Sequence, residues 1–357
     1  MAALTSAAAL EVRAPREGEG TAIAALWREL WDVHEGWGGY PAAHEAGIYE
    51  AVAQRIDSEA RVRYGQPVLG RHIHLVAVQG GVPCGQVEGW FDRLGSAAGT
   101  PYTCEMRSLF VASSQRGGGT ARRLLDELVV WAQRLARGAP VALSADVLEG
   151  NPALGFYRHL GFGVVSHGAM MPLGSVVAPE GLAVRRAEPS DALPLALLDQ
   201  SLAARRWAQG DPRFDGPEGR VTPELLRALA DYLGHAAEDG AVELVAVDAA
   251  GVVRASATFS SAALEPPFRP AVRAVLGRFA ADGEHATAAV PALLAAGSRL
   301  AERRGAERLE LTDLPPPGSR FRAAFGEVIR PWARVLCKPT LDPARRPLRP
   351  GTDGGSV

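Results

Sequence analysis

A chain of 357 residues, 47% of them hydrophobic, is long enough to build about two ordinary cores. Its 38 basic and 40 acidic residues leave a net charge of −2, which argues against a bulk nucleic-acid binder, and Cys84, Cys104 and Cys337 are too few and too scattered for a zinc site or a disulfide framework. No apolar run reaches membrane-spanning length and Ala2–Leu10 lacks a basic start, so the expected setting is a reducing cytoplasm, with no membrane partner.

In chain order, Leu10–Ala14 reads as an opening strand. A helix rich in Ala, Leu and Trp is predicted from Thr21 to His34, and a second near Ala43–Ser58. Two strands follow, His74–Val78 and Gly85–Phe91, joined through Gln79-Gly80-Gly81. The next strand is Glu105-Met106-Arg107-Ser108-Leu109-Phe110-Val111, where alternation places Glu105, Arg107 and Leu109 on one face and Cys104 on the other. Then comes Arg116-Gly117-Gly118-Gly119-Thr120-Ala121. Behind it, Ala121, Leu124, Leu125, Leu128, Trp131, Ala132 and Leu135 recur at helical steps until Gly138. Val141–Val147 reads as a strand, and Asn151-Pro152-Ala153-Leu154-Gly155-Phe156-Tyr157 opens a short helix ahead of Gly161-Phe162.

A strand that ends in a glycine-rich turn and starts a helix makes an anion site. Glycines let backbone N–H groups turn toward a ligand, and the helix N-terminus adds partial positive charge. Arg116, Arg122 and Arg123 would add full charges. The dinucleotide pattern fails because position 122 is Arg where a third Gly is needed, and a P-loop fails because the one Lys of the chain is Lys338. An RNA-binding Arg-Gly-Gly tail would be repetitive, whereas this run is single and flanked by apolar segments.

The segment from Glu105 to Phe162 resembles the cofactor-binding half of the GNAT family of N-acetyltransferases. Arg116–Ala121 fits that family's Arg/Gln-x-x-Gly-x-Gly/Ala turn, and Asn151, Ala153, Phe156, Tyr157, Gly161 and Phe162 fit its second signature. The resemblance implies acetyl-CoA as cosubstrate. The N–H groups of Gly117, Gly118, Gly119, Thr120 and Ala121 would bond its pyrophosphate, with Arg116 and Arg122 supplying charge. Leu109, Phe110 and Val111 would pair with the pantetheine amides and polarise the acetyl carbonyl. Asn151 would contact the pantetheine arm.

Tyr157 matches the family's general acid, which protonates the departing thiolate. Glu105 is the candidate base, acting through water, against a plain ion pair with Arg107; Glu88 is another candidate for that role. His72 and His74 form a spaced pair with too few partners to argue for a metal. His159 reads as surface. Trp27 and Trp31, one helical turn apart, read as core, whereas Trp37 and Tyr40 are candidates for acceptor contact.

The expected fold class is α/β (α+β): two tandem GNAT folds, each a mixed, mostly antiparallel sheet flanked by helices. Residues 1–173 would be the catalytic domain, 174–181 a linker, 182–340 a second GNAT-like domain and 341–357 a loose tail. Leu182–Ala192 restarts in the style of Leu10–Glu17. A hairpin (Val242–Val247, Val252–Phe259), a helix from Thr287 to Arg304 and a strand Arg308–Thr312 repeat the earlier order. The second copy lacks the turn. Asp282-Gly283-Glu284-His285-Ala286 stands before its helix, where Glu284 would repel a phosphate, and Leu314-Pro315-Pro316-Pro317-Gly318 replaces the Asn-x-Ala loop.

The function expected is transfer of acetyl from acetyl-CoA to a primary amine, small-molecule or aminoglycoside-like, by direct attack. The alternatives are a protein N-acetyltransferase and a non-enzymatic acyl-CoA-binding module. A homodimer is compatible with the sequence; no metal and no nucleic acid are expected.

Overall fold

The computed structural model describes residues 9–37, 47–93, 102–148, 150–208, 221–235, 241–263, 272–283, 285–314, 325 and 330–337. Contacts divide the chain into two compact units. One falls within residues 1–27, 53–144 and 337–357, the other within residues 28–52 and 145–336. The sequence division at 174–181 follows an internal repeat, whereas these units follow packing.

The first unit holds β1 (Glu11–Arg13), parts of α1 (Gly20–Gly36) and α2 (Ile48–Arg63), β2 (Val68–Leu69), β3 (His72–Gln79), β4 (Val82–Arg93), β5 (Tyr102–Val111), α3 (Thr120–Leu135) and the start of β6 (Val141–Leu148). β1, β3, β4 and β5 pair in that order, all antiparallel, and β2 also pairs with β3. The β3–β4 turn is tight because Gly80 and Gly81 both take positive φ, 59° and 83°, as a two-residue hairpin requires. α3 buries Leu124, Leu125, Leu128 and Ala132 along one stripe. Leu128 lies so close to the sheet that a Cβ on Gly89 would sit 2.6 Å from its Cδ1.

Alternation fails at one point of β5. Gln86 pairs with Phe110 and Glu88 with Arg107, so Ser108 and Leu109 together oppose Val87. Ser108 takes a φ of 53°, in the region that L side chains rarely adopt. This is a β-bulge. Glu105 and Arg107 share a face as expected, but Leu109 does not continue their series, because the extra residue resets the alternation.

The second unit holds the rest of β6, α4 (Ala153–His159), β7 (Gly163–Pro172), β8 (Ala183–Arg186), α5 (Ala192–Ala208), α6 (Pro223–His235), β9 (Ala241–Val247), β10 (Val253–Ala263), β11 (Val272–Ala281), α7 (Ala286–Arg303), β12 (Arg308–Leu314) and β13 (Arg330–Cys337), the last up to Leu336. Its strands run β13-β7-β12-β11-β10-β9-β8, with β11 parallel to β12 and the other pairs antiparallel. The core forms where Phe259, Leu276, Phe279, Leu293, Leu294, Leu309 and Leu311 close over α7. β11 carries its own bulge. Its Arg278 takes a φ of 52°, and the β10 register shifts between Ser256 and Thr258. In β5 and in β11 alike, the distorted residue is the seventh of ten.

Candidate active site

The glycine-rich turn follows β5 through a single helical turn, Ser113–Gln115. Gly117 and Gly119 take φ of 86° and 77°, and Gly119 is the N-cap of α3. These positions select glycine because other side chains are strained there. Among the described residues, the N–H groups of Gly117, Gly118 and Gly119 have no main-chain acceptor. A Cβ on Gly117 or Gly119 would meet nothing within 4 Å. Free donors, open space and a helix start together fit an anion.

The three arginines of the turn differ. Arg116 is exposed; its guanidinium lies over the Phe110 ring at 5.3 Å and its Nε donates to the Val111 carbonyl at 3.1 Å. Arg122 faces Asp126 at 3.4 Å, and Arg123 donates to the Leu10 carbonyl. Arg116 therefore holds its charge at the turn, while Arg122 leans toward a carboxylate one helical turn on.

A polar strip crosses one face of β3, β4 and β5. Register places His74 opposite Glu88 and His72 opposite Trp90, then Glu88 opposite Arg107 and Trp90 opposite Glu105. Ser108, the bulge residue, donates its hydroxyl to Glu88 Oε2 at 3.1 Å. His72 Nε2 lies 3.6 Å from Glu88 Oε1, and its ring stacks on Trp90 at 4.9 Å. From α2, Arg63 reaches His72 Nδ1 at 2.7 Å and Glu59 Oε2 at 3.1 Å. Arg63 can only donate, so Nδ1 is the acceptor of that contact, while Nε2 makes no hydrogen bond and stands 3.6 Å from Glu88.

Burial shapes the charges of the strip. It raises the Glu88 carboxyl, but bonding to His72 and the nearby positive charges outweigh it and hold the group at about 2. Glu59 is held at about 2 by His72 and Arg63 against the same opposition. His74 is 1% exposed, and burial drives its imidazole down to about 4, so it is neutral at pH 7. His72 is pushed down by burial but raised overall by Glu59 and Glu88. His74 Nε2 and both amide atoms of the fully buried Gln86 have no hydrogen-bond partner. Buried polar atoms left in this way are places for ordered water.

Glu105 pairs with Arg107 at 3.0 Å and is about one-third exposed on the same face. Cys104 is fully buried on the opposite face. Trp90 is 44% exposed, with the Arg107 guanidinium 5.6 Å from its ring. Leu109 sits in the bulge, and Phe110 and Val111 are buried beyond it.

In the second unit, Asn151 accepts the Ala153 N–H through Oδ1 at 2.8 Å, closing a turn just ahead of α4. Tyr157 is 6% exposed and packs between Phe156 and Phe162 at 5.5 and 5.4 Å. Burial pushes its phenol up, so it keeps its proton at neutral pH. Trp37 packs on His34 at 5.5 Å, and burial drives that imidazole down to about 4. Trp27 and Trp31 are buried, as core residues should be, and His159 is exposed. Tyr40, Glu284 and Pro315–Gly318 lie outside the described residues, as does the tail beyond Cys337. Among the described residues no cluster of His, Cys, Asp and Glu could hold a metal, and no helix is long and apolar enough to cross a membrane.

Sequence reasoning singled out the turn, Asn151, Tyr157, Glu105 and Glu88. It missed Ser108, because a bulge leaves no local mark in the sequence. It also gave Glu88 too little weight, since only register brings His72, His74 and Ser108 around it.

Residues 29–162 match the model of the acetyltransferase (GNAT) family. Residues 29–162 thus carry a GNAT acetyltransferase domain, of a family of acyltransferases that draw on acyl-CoA. A GCN5-related N-acetyltransferase from Sphaerobacter thermophilus is similar over 92% of this chain and 95% of its own, at 17% identity and a TM-score of 0.52. A GCN5-related glucosamine N-acetyltransferase region of a fungal multi-domain β-N-acetylglucosaminidase is similar over 93% of this chain and 38% of its own, at 14% identity and a TM-score of 0.54. A tandem GNAT protein from the clavulanic acid biosynthesis pathway aligns over 92% of this chain and 98% of its own, at 18% identity and a TM-score of 0.47. At these identities the first two likenesses speak for the fold alone, that of GCN5-related N-acetyltransferases. No curated protein matches the sequence.

Proposed function

We propose that the chain transfers acetyl from acetyl-CoA to a primary amine of a small molecule, by direct attack. The observation that carries the reading is the turn at Gly117–Gly119, with unpaired N–H groups, open space and a helix N-terminus behind it. The N–H groups of Gly117 to Ala121 would hold the pyrophosphate, with Arg116 beside them and Arg122 joining once released from Asp126. The bulge at Ser108 supports a role for the main chain of Leu109, Phe110 and Val111, because a splayed strand frees backbone groups to meet pantetheine and the thioester carbonyl. Asn151 would steady the pantetheine arm through its amide.

The amine nitrogen attacks the thioester carbon, the C–S bond breaks, and Tyr157 protonates the departing thiolate. The proton lost by the amine passes through water to Glu105, which is exposed enough to exchange it. The phenolate recovers its proton from solvent. Residues 182–340 act as a second GNAT fold without cofactor, since no Arg-x-x-Gly turn precedes α7.

Thiol release from acetyl-CoA, measured with a panel of primary amines, tests the reading. Amine-dependent release with one N-acetyl product per thiol is the expected result. Tight CoA binding with no release on any amine would sink it in favour of a binding module, and acetylation confined to peptides would move the acceptor to proteins.

A further inference from the structure

Glu88 differs from every other carboxylate of the first unit's polar strip. It is 9% exposed, lies at the bulge, and is tied to the bulge residue itself by the Ser108 hydroxyl. Ser108 donates and the His72 ring faces the other oxygen from 3.6 Å, so the fold organises Glu88 as an acceptor and an anion. A group held ionised far below neutral pH takes up protons poorly. It is better suited to receive a cation than to act as a base.

The strip around Glu88 is also built to be wet. Gln86 sits two residues before it on the same strand and His74 opposite it, and the atoms they leave unpartnered are buried. Leaving such atoms dry costs about 1–3 kcal/mol each. Water, or polar atoms of a ligand, would meet them. Beyond Glu88 toward solvent lie the Trp90 ring and Glu105. The charged and titratable groups facing Glu88 are His72 and His74 from β3, Arg107 from β5, and Arg55, Glu59 and Arg63 from α2.

We propose that Glu88 is the receptor for the acceptor's ammonium group, so that the enzyme selects aliphatic primary amines, cationic in solution, over arylamines and alcohols. His72 and Ser108 are positioning residues that hold the carboxylate toward the bulge. The assignment rests on the transferase reading. It adds a substrate class to that reading: a basic amine whose cation docks on Glu88 and whose proton then leaves through the water of the strip toward Glu105.

Benzylamine and aniline separate the two classes with similar rings. In the thiol-release assay the wild type should turn over benzylamine with a KM at least about 10-fold below that for aniline. Glu88→Gln should raise the benzylamine KM by about 10- to 100-fold, the range expected for a lost hydrogen bond to a charged group, with kcat within about threefold. Ser108→Ala, which keeps the charge but loosens it, should raise KM by about 3- to 10-fold. Asp92→Asn, at an exposed carboxylate of the same strand paired with Arg71, should leave KM unchanged. Calorimetric titration of benzylamine into wild type and Glu88→Gln reads the same contact without turnover, and thermal melts establish that the variants are folded.

Equal benzylamine binding by wild type and Glu88→Gln, or a KM that Glu88→Gln does not move, overturns the assignment. Binding that depends on Glu88 in a protein that releases no thiol would keep the ammonium site and overturn the transferase reading instead.

Discussion

β5 and β11 share one distortion and differ in what surrounds it. Each has ten residues with a positive φ at the seventh, Ser108 in one and Arg278 in the other. Behind Ser108, the facing residues on the next two strands are Glu88 and His74; behind Arg278 they are Thr258 and Glu243. Ser108 gives its hydroxyl to Glu88, whereas Arg278 reaches out to Asp199 on α5 at 2.6 Å and Thr258 bonds Glu243 at 2.7 Å. The helices that follow differ in the same sense. α3 starts from an open glycine turn. α7 starts from His285 in a right-handed helical conformation, with the Asp282 carbonyl accepting from the His285 and Ala286 N–H groups. The Asp282 carboxylate, 3.4 Å from His285 Nδ1, adds a negative charge where a phosphate would need a positive field. The bulge is common to both strands, whereas the open helix start and the carboxylate held at the bulge, which we propose serve the chemistry, occur in the first.

The strongest way to break this contrast is to remove the proposed acid. Tyr157→Phe should lower kcat by about 10²–10⁴-fold while leaving the CoA dissociation constant within a factor of a few. Next is the turn. Gly119→Val forces a β-branched residue into a φ of 77° and should weaken CoA binding by on the order of 100-fold in a fluorescence or calorimetric titration. Asp282→Asn, at the matching place before α7, should change neither constant. Equal losses from both variants would erase the distinction between the two helix starts.

The pH dependence of the two strips should differ in sign. The folded-state value of His74 lies below its ordinary 6.5, at about 4, because burial disfavours the cation. Its contribution is present above about 6.5 and is lost as pH falls toward 4, costing roughly 3 kcal/mol. Glu59 and Glu88, also lowered, add a loss below their ordinary 4.5 as pH falls toward 2. Burial raises Glu243 in the second strip, so the fold there gains from protonation as pH falls through that raised value. Segment-resolved hydrogen exchange between pH 7 and pH 4 should show β3 and β4 losing protection before β9 and β10, and His74→Gln should flatten the early loss.

These contrasts also mark what a sequence can and cannot disclose. Arg116–Ala121 was legible because its glycines, the helix period of Leu124, Leu125 and Leu128 and the preceding strand are contiguous. The hairpin through Gly80-Gly81 was legible for the same reason. The bulge was not: Ser108 has no local reason to take a positive φ, and the alternation of Glu105, Arg107 and Leu109 reads as an unbroken strand. Glu88 was visible only as one acidic residue among many, because its donors come from β3 and β5. β7 reads as the last strand of a first domain, yet it pairs with β12 from 136 or more residues further on (Pro172 with Arg308), a contact no local pattern announces. Long-range pairing sets both the surroundings of Glu88 and the strand order of the second unit, so both stayed hidden.

A smaller effect tests the packing that carries the turn. In the first unit the sheet makes room for α3 at Gly89, where a Cβ would approach Leu128 Cδ1 at 2.6 Å and Cys104 Sγ at 2.9 Å. Gly89→Ala must push that helix or distort Leu128, and should cost about 1–3 kcal/mol in denaturant unfolding. The second unit places the small residue on the helix: a Cβ on Gly297 of α7 would approach Leu276 at 2.7 Å, so Gly297→Ala should cost a similar amount. If Gly89→Ala also weakened CoA binding while Gly297→Ala left it untouched, the turn would depend on how α3 seats on its sheet.

The smallest expected effect concerns the plug of the second bulge. Arg278 and Asp199 are 59% and 55% exposed, so their ion pair contributes about 0–1 kcal/mol despite its short contact. Asp199→Asn should leave the midpoint of unfolding within about that margin and leave kcat and KM unchanged. The replacement also opens a sharper test. With Asp199 neutral, Arg278 loses the one carboxylate that it hydrogen-bonds and keeps only the fields of Glu243 and Asp313, so added phosphate should raise the melting temperature of the variant more than that of the wild type. Equal phosphate responses would mean that Arg278 merely decorates the surface, and that what separates the two strands is what Glu88 and the open α3 start provide in the first.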